Sequence, residues 1–177
     1  MFRRCRVGFI PLTTGFTLIE LLVVVAIIGI LVGLLFPAFS HARQVAKKTR
    51  AKAEVKQLDI AFRAIQSDYR GFTTTPSAVN LATKLDIDGE EIDGNVVGFL
   101  QGVNSRGTVY MEFDNTSTNG AGAFVDPWNG VYRAALGSGG TITPPHGTIY
   151  RQIGAWSKGR DQLDDTAERQ KDDVTSW

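Results

Sequence analysis

Residues 15–36 read Gly15-Phe16-Thr17-Leu18-Ile19-Glu20 and then LLVVVAIIGILVGLLF, and this stretch decides the fold. From Leu21 to Phe36 there are sixteen consecutive residues without a polar side chain. About 20 apolar residues form a helix long enough to cross the roughly 30 Å hydrocarbon core of a bilayer. So uniform a run has no polar face to show solvent, which argues against a core helix of a soluble domain. It also exceeds the roughly 7–15 apolar residues of a cleaved secretory signal, although Ala38-Phe39-Ser40 offers a passable cut. Arg3, Arg4 and Arg6 precede it without an acid, so the amino terminus is expected on the cytoplasmic side and the remainder beyond the membrane.

Glu20 interrupts this pattern. A carboxylate at the edge of a membrane helix is costly unless paired, so it marks a functional position. Were the chain cut after Gly15, the new ammonium at Phe16 would neutralise Glu20 of a neighbouring copy and set an axial register between helices. The plainer alternative is a carboxylate that reaches to the headgroups.

Working outward, the 177 residues carry 19 Lys+Arg against 18 Asp+Glu, a net charge of +1. Charged residues at 21% and hydrophobics at 43% exclude bulk disorder. The neutrality averages unlike parts: +3 over residues 1–15, −1 over 16–40, +5 over 41–70, −4 over 71–156 and −2 over 157–177. Near-zero net charge argues against a globally basic nucleic-acid binder, and no nucleic-acid partner is expected. Cys5 is the single cysteine, so no intramolecular disulfide forms, and with His41 and His146 far apart no zinc spacing arises. No GxSxG, HExxH, Walker loop or Cys/His pair is present, so an enzyme is not expected. His146, in Pro144-Pro145-His146-Gly147, reads as a surface histidine.

The string from Gly15 through Leu31, behind a short basic leader and ahead of Pro37, resembles the type III signal of type IV pilins and pseudopilins. The resemblance implies cleavage between Gly15 and Phe16 by a prepilin peptidase, N-methylation of Phe16, and assembly into a helical filament through the N-terminal helices, with Glu20 and Pro37 as assembly residues. Cys5 would leave with the leader, and the mature chain would carry −2.

Residues 40–70 contain no Gly or Pro, which permits a helix continuing out of the membrane. Gly29, Gly33 and Pro37 are natural points for local unwinding. Val55, Leu58, Phe62, Ile65 and Tyr69 recur at spacings of three and four, one apolar stripe that must be covered by the rest of the chain. Residues 41–54 are basic and small; they are either a solvated surface or a face for acidic surfaces of neighbouring subunits. Gly71 and then Thr73-Thr74-Thr75-Pro76 end the helix.

The acidic run Asp86-Ile87-Asp88-Gly89-Glu90-Glu91 lacks the EF-hand pattern and reads as a solvated loop. Thr108-Val109-Tyr110-Met111-Glu112-Phe113 alternates as a strand does. Asp126-Pro127-Trp128-Asn129-Gly130 holds the Asn-Gly hairpin signal, because both residues tolerate positive φ. Thr148 to Trp156 reads as the last strand. The expected architecture is α+β: a long N-terminal, partly transmembrane helix packed on a small antiparallel sheet, a type IV pilin-like roll. Its parts are a cleaved leader (1–15), a transmembrane segment (16–39), a helix outside the membrane (40–70) and a globular head with a C-terminal acidic loop (71–177).

Asp126-Pro127-Trp128, with Tyr132 beyond, resembles the Asp-Pro-Trp-Gly-Asn-Pro-Tyr motif of type II secretion major pseudopilins, though here Asn129-Gly130 reverses Gly-Asn and Val131 replaces the second proline. Ser157-Lys158-Gly159-Arg160-Asp161 and Asp172-Asp173 resemble the calcium loop of the same subfamily. Ser157, Asp161, Asp172 and Asp173 fall on its positions, and Asp164 and Asp165 are further candidates for Ca2+ ligands. Calcium takes six to eight oxygen ligands, and this loop is rich in them; pairing with Lys158, Arg160, Arg169 and Lys171 is the alternative. The resemblance implies a major pseudopilin of a type II secretion system: a single-pass inner-membrane protein, periplasmic head outward, extracted into a periplasmic filament. Its implied partners are further copies, minor pseudopilins, the peptidase and an inner-membrane assembly platform. A type IV pilin for adhesion, motility or DNA uptake is the alternative.

Overall fold

The computed structural model describes residues 15–72, 80–114, 116–166 and 172–177, without the side chains of 37, 38, 82 and 83. The leader with Arg3, Arg4, Cys5 and Arg6, the Thr73–Pro76 segment, Arg169 and Lys171 lie outside the described residues.

Helix α1 (Leu18–Tyr69) spans 52 residues. Helical structure is unbroken across Gly29, Gly33 and Pro37, so the expected local unwinding is not seen. One proline removes only one backbone donor, and the bonds on either side of it suffice to carry the helix through. By contact the chain divides into two units, Met1–Arg43 and Gln44–Trp177. In the first unit, α1 is apolar and long enough to cross a membrane, and every side chain from Leu21 to Phe36 is exposed.

In the second unit the same helix is amphipathic. Val55, Leu58, Phe62 and Ile65 are fully buried and Tyr69 nearly so, and Ala51 and Ala61 extend the stripe. The helix ends on a bond from the Gly71 N–H to the Gln66 carbonyl, 3.0 Å. Arg70 takes the left-handed turn at φ 54, rather than the glycine alone. This geometry closes the last turn by satisfying a carbonyl that has no partner within the helix.

The head adds α2 (Leu81–Lys84), β1 (Glu90–Glu91), α3 (Gly94–Leu100), β2 (Arg133–Leu136), β3 (Ile153–Ser157) and β4 (Val174–Thr175). The strands form one antiparallel sheet in the order β1-β2-β3-β4. Period-two alternation sorts its residues. Ala134, Leu136, Ile153 and Ala155 join Val96, Phe99, Leu100 and Phe124 over the α1 stripe. Ala135 and Trp156 face the other way, into a small cluster with Ile142 and Ile149. This is the expected α+β architecture.

Three expectations are corrected. Thr108–Phe113 is not a strand, because its amides find a helix end instead of a ladder: Tyr110 and Met111 donate to the Leu100 carbonyl. Its alternation serves packing, with Tyr110 stacked on Phe99 at 6.4 Å and Phe113 edge-on to Phe124 at 4.7 Å. The last strand is Val174–Thr175, beyond the segment expected to end the sheet, and of that segment only 153–156 is in the ladder, as part of β3 (Ile153–Ser157). The run of acids at 86–91 ends in the edge strand β1 rather than being loop throughout.

Candidate functional site

At the amino end, Thr17 caps α1. Glu20 Oε2 accepts from the Thr17 N–H (2.9 Å) and hydroxyl (2.6 Å), while the Glu20 N–H donates to Thr17 Oγ1 (3.3 Å). This is a capping box, and its signal, Thr-x-x-Glu before an apolar run, stands in the sequence. Both bonds to the carboxylate use Oε2, and among the described residues none is made by its other oxygen. Phe16 is 75% exposed beside it.

In the head, Asp126 organises the hairpin. Its N–H donates to the Gly130 carbonyl (2.8 Å), and Asn129 N–H returns to the Asp126 carbonyl (2.9 Å). Pro127 and Trp128 are the turn's central residues. Asn129 alone takes positive φ, 78°, so this is a three-residue loop and not the two-residue turn in which both Asn and Gly would be left-handed. The buried Asp126 carboxylate accepts from the N–H groups of Trp128 (2.9 Å) and Gly130 (2.8 Å) and from the Ser157 hydroxyl (2.6 Å). Three donors satisfy a group that would otherwise be costly to bury.

Two side chains tie this hairpin to α1. Trp128 Nε1 donates to Gln44 Oε1 at 3.1 Å, and the buried Tyr132 hydroxyl donates to Glu54, which also holds Arg50. Burial, and then the Glu54 carboxylate, push the Tyr132 phenol well above its ordinary value.

The acidic tail meets the end of β3. Asp172 Oδ2 accepts from the N–H groups of Arg160 (2.8 Å) and Asp161 (3.3 Å). Asp165 and Asp173 exchange bonds, each carboxylate accepting from the other's N–H at 3.0 Å. Gly159, at φ 65, lies so close to the Asp172 carbonyl that a Cβ would stand 2.6 Å from its oxygen; only glycine lets the two segments meet.

Of the six candidate ligands, Asp161, Asp172 and Asp173 offer oxygens within 4.8 Å of one another. Asp165 joins Asp173 through the paired amide bonds. Ser157 is engaged with Asp126 and the Gly159 N–H, and Asp164 with Arg133 (2.9 Å), Lys158 (3.7 Å) and Trp156 Nε1 (2.9 Å). Among the described residues, buried oxygens of Asp165, Asp172 and Asp173 have no hydrogen-bond partner. Buried carboxylate oxygens that the described residues leave unpaired fit a hard cation's demand for oxygen ligands.

The reading of His146 as a surface histidine is corrected. It is half-buried rather than on the surface, in edge contact with Trp156 (5.5 Å) and Trp177 (5.3 Å), and its Nε2 is 2.7 Å from Asp173. No local pattern announces it, because its partners lie in two later segments.

Residues 13–36 match the prokaryotic N-terminal methylation motif. The chain is 36% identical to the type IV major pilin protein PilA of Myxococcus xanthus over 74 residues, 42% of this chain and 34% of that one. It is 37% identical over 101 residues to a fimbrial protein of Pseudomonas aeruginosa, covering 55% and 64% of the two chains. To type II secretion system core protein G of the same species it is 35% identical over 71 residues, 40% and 50%. Each match spans less than two thirds of the relative's length. No solved structure matches this chain. The named relatives are pilin, fimbrial and secretion-system core proteins, none of them an enzyme by name. The chain thus carries the prokaryotic N-terminal methylation motif ahead of an α+β head, and is similar over part of its length to pilin, fimbrial and secretion-system core proteins.

Proposed function

We propose that this protein is a filament subunit, the major pseudopilin of a type II secretion system. It is cut after Gly15, N-methylated on Phe16, and held by a single membrane span with its amino terminus cytoplasmic. Subunits drawn from the membrane then stack their α1 helices into a periplasmic rod. The single observation that carries this reading is the methylation motif leading into a helix whose apolar side chains from Leu21 to Phe36 are all exposed. Such a surface must be covered by lipid or by other copies. Within the stack, the ammonium of Phe16 on one copy meets the Glu20 oxygen that the Thr17 cap leaves unused on the next. Work is mechanical; a separate cytoplasmic ATPase supplies the force, and minor pseudopilins and an assembly platform start the rod.

The pseudopilin form is supported over a surface pilin by the Asp126-Pro127-Trp128 hairpin and the acidic tail. In this reading the tail holds Ca2+ through Asp161, Asp172 and Asp173, with Asp165 alongside. A type IV pilin is the second reading, favoured by the likeness to PilA and to fimbrial protein.

Mass spectrometry of the protein from membranes is the test. The expected amino terminus is N-methylated Phe16; an intact Met1 or a cut beyond Phe39 would defeat the reading. Deleting the gene separates the two forms: lost export of secreted proteins marks a pseudopilin, lost surface fibres a pilin.

A further inference from the structure

The charges of the second unit are segregated. Lys48 and Lys52 are exposed on α1, one turn apart, with Lys47 beside them. Among the described residues, no ion pair reaches any of the three. The neighbouring cations are engaged: Arg50 with Glu54 at 2.8 Å, and Lys56 with the Ser176 carbonyl. Like charges one turn apart disfavour a helix unless something compensates them.

The complement lies at the edge of the sheet. A groove of about 440 Å³ is lined by Lys84, Glu90, Glu91, Asp93 and Arg133. Both of its cations are already held. Lys84 pairs with Asp93 at 2.8 Å, and Arg133 pairs with Asp164 at 2.9 Å and donates to the Gly89 carbonyl at 3.0 Å. Glu90 and Glu91 are exposed and have no ion pair among the described residues, so two negative charges are left uncompensated. They form β1, the outer strand of the sheet. Carboxylates on an edge strand resist the addition of another strand. They suit instead a compact ammonium on a flexible stem, which is what lysine presents.

We propose that the groove of one copy receives Lys48 and Lys52 of a second copy, and that this contact sets the order of heads along the filament. The occupant is a second copy because the same chain carries both complementary surfaces. Two different surfaces that pair between copies make a heterologous contact, which propagates head to tail, as an open helix wherever the rotation does not close a ring. The inference rests on the filament reading and adds which surfaces meet.

The test uses the full-length chain in cells that assemble the filament, with polymer separated from membrane subunits and both measured by immunoblot. Lys48→Glu with Lys52→Glu, or Glu90→Lys with Glu91→Lys, is expected to lower polymer about tenfold at unchanged membrane level, since like charges then face each other. All four changes together restore polymer to within about twofold, because the pairing is re-formed with its sign reversed. In a Cys5→Ser background, Lys48→Cys on one copy and Glu91→Cys on another form a disulfide in filaments but not in dispersed subunits. Reversals that assemble like the unaltered chain, or a fourfold variant as defective as its halves with no disulfide, overturn the contact and leave the filament reading standing. If the unaltered chain gives no polymer, the filament reading fails and takes the contact with it.

Discussion

From Leu21 to Phe36 every side chain of α1 is exposed, whereas from Ala51 to Tyr69 the same helix buries a stripe under its own head. The covalent geometry is shared; what differs is where the partner surface comes from. The second half is specified within the chain, by side chains of α3, β2 and β3. In the proposed filament the first half is uniformly apolar because lipid and other copies would surround it on all sides. Changes in the second half should therefore act on folding of the head, and changes in the first half on assembly alone.

The largest expected effect breaks or keeps this division. Phe62→Ala empties a fully buried site and is expected to cost about 3–5 kcal/mol, read as a lowered urea midpoint of the full chain in detergent. Val25→Ala should leave that midpoint unchanged. If both shift it equally, the two halves are one cooperative unit and the comparison fails.

Ion removal comes next. A cation that binds only the folded head stabilises it by about 2.7 kcal/mol when present at a hundred times its dissociation constant. EDTA is expected to lower the head's melting temperature and excess calcium to restore it. Asp172→Asn should abolish the difference. A melting temperature indifferent to calcium would remove the ion from the proposal and leave the unpaired oxygens of Asp165, Asp172 and Asp173 to water.

The division also explains what the sequence could reveal. Long periodic signals were readable: the unbroken apolar run, and the stripe of Val55, Leu58, Phe62, Ile65 and Tyr69. The Asn129 turn was readable because its signal is local. β1 and β4 have two residues each, too short for any periodicity to register. Thr108–Phe113 alternates like a strand but packs as a loop, because pattern reports burial and not which backbone accepts the bonds. In the candidate site, the acids were visible as composition. Their sorting, with Asp161, Asp172 and Asp173 brought together and Asp164 drawn to Arg133, depended on contacts between distant segments.

Asp126 offers a third, smaller test. Asp126→Ala leaves the Ser157 hydroxyl and the N–H groups of Trp128 and Gly130 without their acceptor, and is expected to cost about 1–3 kcal/mol. Its counterpart at the amino end, the Thr17 cap on Glu20, is exposed; Thr17→Val should not move the head's midpoint.

The tyrosines give a pH dependence confined to the second unit. Burial, and then the hydrogen bond to Asp68 (2.9 Å), push the Tyr110 phenol up to about 12. The unfolded chain ionises near its ordinary value of 10.0. A pKa raised on folding gives stability that is complete below the unfolded value and lost as pH rises through the folded one. Head stability should therefore fall between pH 10 and about 12. Asp68→Asn should lower the Tyr110 value, seen in tyrosinate absorbance, so that the fall still begins near pH 10 but ends earlier and is smaller.

The smallest effect lies where α1 ends. Arg70 holds φ 54, a left-handed conformation that costs an ordinary residue roughly 1–2 kcal/mol. Glycine removes that penalty, while its freer unfolded chain takes back about 0.4–1 kcal/mol. Arg70→Gly is thus expected to raise head stability by about 0.5–1 kcal/mol. Gly71 is the control one residue on. Nothing crowds its missing Cβ, yet its φ of 134 is closed to side chains. Gly71→Ala should therefore destabilise through backbone strain alone. Opposite signs at adjacent positions would establish that the helix is stopped by backbone geometry where the head begins; equal signs would mean that packing of the head stops it.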